Sequence, residues 1–184
     1  TGANFESMRA RLKTVEGTTE AAGRAFGMIK DFAKATPFEV ENITAAFTAL
    51  RVRGVHPTVE QLTALGDMAS AFGKDIGSVT EAIASVARGE TESIETLGIN
   101  AETVGDKIAL SFKGQTEVVE KNAAAVTAAV TKFGQMNGIQ GAMAEQALTT
   151  AGMFSNLKDT ISALFDEAAQ NGVLDEVKLL IQAV

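Results

Sequence analysis

The chain of 184 residues reads as mainly α: a compact bundle of short Gly-capped helices with one small β-hairpin, flanked by longer heptad-patterned helices. Three observations predict this. Apolar residues recur at spacings of three and four along most of the chain, the period of a helix with one buried face. Between residues 36 and 99, helix-start signals alternate with glycines that stop each helix. Only around 106–120 does the pattern change to strict polar–apolar alternation, the period of a strand. The parts implied are N-terminal amphipathic or heptad helices over 1–35, a helical subdomain over 36–99, a β-hairpin over 100–120, and C-terminal helices over 121–184, with a long heptad helix over about 142–171.

In the first part, Phe5, Met8, Leu12, Val15, Thr19, Ala22, Phe26, Ile29 and Ala33 form a seam that repeats every 3.5 residues. Gly17-Thr18 marks a break, with Thr18 able to cap the second half. The seam fits two amphipathic helices on a local core, or a coiled-coil arm leading out of the domain. Thr36-Pro37-Phe38-Glu39 then reads as a helix start, with Thr36 as cap, Pro37 in the first turn and Glu39 closing a capping box. Ile43, Phe47 and Leu50 face one way, and Gly54 ends the helix. Thr58-Val59-Glu60-Gln61 repeats the box, ahead of Leu62, Leu65, Ala69 and Phe72, with Gly73 as the stop. A third helix starts near Asp75, with Val79, Ile83 and Val86 inward, and stops at Gly89. A fourth covers about 91–97 and stops at Gly98. Phe38, Ile43, Phe47, Leu50, Leu62, Leu65 and Phe72 are expected to be buried together.

Lys107-Ile108-Ala109-Leu110-Ser111-Phe112 and Gln115-Thr116-Glu117-Val118-Val119-Glu120 flank Lys113-Gly114, the pattern of two strands and a tight turn. A lone hairpin is marginal, so this one must pack on the helices. Helix resumes from Lys121, with Val126, Val130 and Phe133 on one face. A long helix is expected over about 142–171. Its seam is Met143, Ala147, Thr150, Phe154, Leu157, Ile161, Leu164 and Ala168. Its larger side chains, Phe154, Leu157, Ile161 and Leu164, are the candidate self-association or partner face. Gly172 stops this helix and another apolar-faced one begins.

Composition excludes much chemistry. There is no Cys, hence no disulfide, thiolate zinc site or Cys nucleophile. A single imidazole, His56, excludes a multi-histidine metal site, and it sits beside Pro57 as an ordinary loop residue. Asp166-Glu167 and Asp175-Glu176 are sequence neighbours that splay apart on a helix, so they do not pair for acid–base work. No phosphate-binding glycine loop and no calcium loop occur. No cofactor is therefore expected, no catalytic constellation fits, and the chain is expected not to be an enzyme.

The net charge of −7 is uneven. Residues 1–60 hold 8 basic and 7 acidic groups, whereas 61–184 hold 8 basic and 16 acidic. Such a surface repels phosphates, so direct nucleic-acid binding by this segment is not expected. No run approaches the ~18 apolar residues of a spanning helix, and no signal peptide is visible. The chain opens on Thr-Gly-Ala without Met and stops in the apolar run Leu179-Leu180-Ile181, so a piece of a longer protein is expected.

The order of these pieces resembles the N-terminal conserved region of tail tape measure proteins from long-tailed bacteriophages and prophages. The resembling stretch runs from about Ala22 to Ala168. It takes in Thr36-Pro37-Phe38, Leu50 and Gly54, Leu65-Gly66-Asp67 with Gly73, and Leu97-Gly98-Ile99. The turns from Gly105-Asp106-Lys107 to Lys113-Gly114 and the run Ser155-Asn156-Leu157-Lys158-Asp159 complete it. Val52-Arg53 before Gly54 and His56-Pro57 depart from the pattern. The resemblance implies a structural, non-enzymatic virion component. Several copies would lie in the lumen of the tail tube, after assembly in the host cytoplasm, and their length would set tail length. The implied partners are other copies of the protein and the tail-tube, tail-tip and tail-assembly chaperone proteins. The alternatives are a helical adaptor or scaffold domain that binds a partner helix in a groove, a fragment of an enzyme whose active residues lie elsewhere, and a membrane-perturbing segment around the Ala-rich residues 122–131.

Overall fold

The computed structural model describes residues 2–148 together with Asp159 and Ala163. The remainder of the expected helix over 142–171, including Phe154, Leu157, Ile161 and Leu164, lies outside the described residues, as do Asp166-Glu167, Asp175-Glu176 and the final apolar run. The molecule is mainly helical with a small antiparallel sheet. Its helices are α1 (Gly2–Glu16), α2 (Thr19–Lys34), α3 (Val40–Arg51), α4 (Val59–Ala71), α5 (Ile76–Ala87), α6 (Ala123–Gly134) and α7 (Ala142–Ala147). A 3-10 turn over Ser93–Leu97 precedes strands β1 (Asn100–Val104), β2 (Lys107–Phe112) and β3 (Gln115–Glu120).

The break at Gly17-Thr18 is real. The Thr18 side chain accepts from Ala21 N and starts α2. The chain then folds back, and the rings of Phe5 and Phe26 meet edge to face at 5.5 Å. Phe5, Met8, Leu12, Ala22, Phe26, Ile29 and Ala33 are all buried, so the seam faces the body's own core. The arm-like alternative does not hold for these helices, because the seam's apolar positions are already covered by α3 and by each other.

The start of α3 departs from expectation. Thr36 does not cap it. Its hydroxyl is fully buried, donates to the Ala33 carbonyl at 3.3 Å and accepts from Phe38 N at 3.3 Å. The helix begins only at Val40, with Glu39 in the cap position and no side-chain cap from it. Burial of Phe38 and Val40 explains this, since drawing both side chains inward turns the Thr36–Phe38 connection onto itself. The second box is as expected: Thr58 and Gln61 satisfy each other's backbone N–H groups. Asp75 caps α5 and Asn122 caps α6. Gly54, Gly73, Gly89 and Gly98 close their helices with φ between 63° and 90°.

α5 is the central helix. It packs on α3, α4, α6 and the 3-10 turn, and eight of its residues are buried. α4 and α6 approach so closely that a Cβ on Gly134 would collide with the Ala64 carbonyl. The expected cluster of Phe38, Ile43, Phe47, Leu50, Leu62 and Leu65 is buried, but Phe72 is only half-buried. It lies at the α4 terminus and leans edge-on against Phe112, 6.0 Å between centroids.

The hairpin of β2 and β3 forms around Lys113-Gly114, both with positive φ (49° and 83°), as a type I′ turn requires. A third strand joins it. β1 pairs with β2 through a second two-residue turn at Gly105-Asp106, giving the order β1-β2-β3. Ile108, Leu110 and Phe112 point into the core, and Phe112 meets Phe133 of α6 at 5.4 Å. One apolar cluster runs from Phe5 to Met143, with contributions from every helix.

Candidate functional site

Two buried or half-buried carboxylates tie the C-terminal part to the body. Asp67, 3% exposed in the middle of α4, accepts from Gly141 N at 3.1 Å and Met143 N at 2.9 Å. It thus does for α7 what a cap residue does locally, since Gly141 has no side chain to offer. Gly66 beside it leaves room for the Met143 thioether, which a Cβ would strike. Asp159 plays the matching part for α3: its Oδ2 accepts from Val40 N at 3.0 Å, at the helix start that lacks a local cap. Ala163 also packs against the core.

α1, α2, α3 and the α3–α4 connection line an open cleft of about 270 Å³. Its apolar lining residues are Ala21, Ala25, Met28, Phe47 and Pro57. Arg51 is fixed at its edge by three contacts. Nε donates to Glu16 Oε1 at 2.6 Å, Nη2 to the Val15 carbonyl at 3.2 Å, and Nη1 lies 3.2 Å from His56 Nε2. A guanidinium can only donate, so His56 Nε2 is the acceptor and its Nδ1 carries the proton. His56 is exposed, as expected of a loop residue, and among the described residues no carboxylate hydrogen-bonds it to orient it as a base. The local sequence gave no sign of the Arg51–Glu16 pair, whose members are 35 residues apart.

Among the described residues, no three His, Asp or Glu side chains converge as metal ligands, and no helix is long and apolar enough to cross a membrane. The titration of one surface pair is perturbed. The Arg88 side chain hydrogen-bonds Glu90 and holds its carboxyl below the usual range, while Glu90 raises Arg88. Its stabilising contribution is present above the ordinary carboxylate pKa and is lost as pH falls through the lowered one. The pair is fully exposed and does not mark a site.

No protein-family model and no solved structure matches the chain. Against curated proteins, it aligns over 193 positions, at 26% identity, with the Mu-like prophage FluMu protein gp42 of Haemophilus influenzae Rd. The chain is similar to a prophage protein. The alignment takes in 97% of this chain but only 30% of the relative's length, so the chain corresponds to a segment of a much longer protein. This likeness supports a phage-related role at the coarse level.

Proposed function

We propose that this chain is the folded module of a tail tape measure protein, a structural and non-catalytic part of a phage or prophage tail. The carrying observation is the likeness to a prophage protein over nearly the whole chain, where that relative is about three times as long. The order of motifs from Thr36-Pro37-Phe38 to Ser155–Asp159 supports the finer reading, and so does the mainly helical fold. A helix rises ~1.5 Å per residue, so chain length translates into tube length. Fully helical, 184 residues would measure ~280 Å; folded compactly they have a radius of gyration of ~16 Å. The module is thus a globular body on a long helical ruler rather than part of the ruler itself. In this reading the protein lies in the tail-tube lumen after assembly in the host cytoplasm. Its partners are other copies, tail-tube and tail-tip subunits and assembly chaperones. Phe154, Leu157, Ile161 and Leu164 form the face toward another copy or another tail protein. Asp166 and Glu167 would crowd like charges in such a bundle, so contact through that seam strengthens with salt.

The test is the composition of purified particles. Mass spectrometry of isolated tails should find peptides of this chain, from a parent protein several times its length, in several copies per tail. Their presence only in the tail-free fraction contradicts the proposal.

A further inference from the structure

We propose that the cleft beneath Arg51 is a docking pocket for the β1–β2 tip of a second copy of this chain, making a head-to-tail contact. The cleft is smaller than a typical small-molecule site of ~300–1,000 Å³, and its size suits one anchoring side chain. Its lining is part apolar and part basic, with Arg24, which is exposed and makes no ion pair among the described residues, together with Arg51 and His56. Among the described residues that line it, Glu16 is the one acid, and Arg51 pairs with it at 2.6 Å. Arg51 still has two N–H groups beyond its three contacts, and His56 has its Nδ1–H, so donors remain for an incoming carboxylate. The three contacts hold Arg51 in place before anything binds, which lowers the ordering cost of association.

The matching shape is on the same chain. Val104 is 51% exposed at the end of β1, one of the few large apolar side chains left in solvent. Glu102 stands two residues before it on the same strand face, and Asp106 follows in the turn. Both are exposed and neither has an ion-pair partner among the described residues. The neighbouring cation, Lys107, is already paired with Glu120 at 3.4 Å. The tip therefore offers one apolar side chain between two carboxylates, and the cleft offers apolar surface beside basic groups. The two belong to different parts of one molecule: α1 and α2 pack on each other and on α3, while the sheet packs mainly on α6 and the 3-10 turn. The contact is heterologous, so it builds rows or rings rather than closed dimers. It rests on the tape measure reading only for several copies being side by side.

Sedimentation equilibrium of the 184-residue chain tests this at about 0.01 M and 1 M salt, where the Debye length is ~30 Å and ~3 Å. The wild type should associate at low salt and separate at high salt. Arg24→Glu, and separately the double change Glu102→Lys with Asp106→Lys, should each weaken association tenfold or more. All are exposed positions, and unchanged melting curves confirm that the variants fold. Combining the three changes restores opposite charges across the contact and should recover association. A monomeric wild type at low salt, an Arg24→Glu chain that associates normally, or a folded triple variant that stays apart overturns the proposal. Association that strengthens with salt also overturns it, and points instead to the seam of Phe154, Leu157, Ile161 and Leu164. None of these outcomes bears on whether the protein is found in tails.

Discussion

Asp67 is an acid in the interior, and its two backbone partners explain why it is tolerated there. Burying a charge without partners is costly, but the exposed N–H groups of a helix start supply hydrogen bonds and a favourable dipole. Asp67→Ala should lower stability by about 1–3 kcal/mol in urea unfolding, the cost of leaving buried donors unpaired. The Gly141 and Met143 amides should lose hydrogen-exchange protection in that variant, while the α5 amides keep theirs. Unchanged protection at Met143 would mean that the cap carries nothing. Neither this role nor that of Asp159 was legible in the sequence, because the donors lie 74, 76 and 119 residues from their acceptors. The same limit misled at Thr36. The local signs of a cap were all present, but burial of Phe38 decided where that hydroxyl points. The local caps at Thr18, Thr58 and Asp75 were legible because donor and acceptor lie within three residues.

Elements with a strong period were readable, and those without one were not. β2 alternates cleanly because one face is buried at Ile108, Leu110 and Phe112. β1 was missed, since no residue in it is buried and so no apolar alternation is needed. The α4–α6 contact was also hidden, for it depends on what is absent at Gly134. Gly134→Ala pushes a methyl into the Ala64 carbonyl, a backbone atom that cannot rotate away. The expected loss is about 1–3 kcal/mol, typical of overpacking. Differential scanning calorimetry should show a clearly lowered Tm for Gly134→Ala. Gly23→Ala, at a position with open space in α2, should leave Tm unchanged or slightly raised. Equal effects at the two sites would contradict the close packing of α4 on α6.

At the scale of the molecule, the chain divides its charge. The first 60 residues are nearly balanced and the remainder is strongly acidic. The globular body was legible from the density of capped helices. The candidate partner face lies outside the described residues, and the contacts of Asp159 and Ala163 with the body needed the structure. The central claim, that this module belongs to a ruler, is tested most directly by tail length. In the full-length protein, outside these 184 residues, an in-frame deletion of 100 helical residues should shorten tails by ~150 Å in electron micrographs, at ~1.5 Å per residue. Tails of unchanged length, built with the shortened protein, would contradict it.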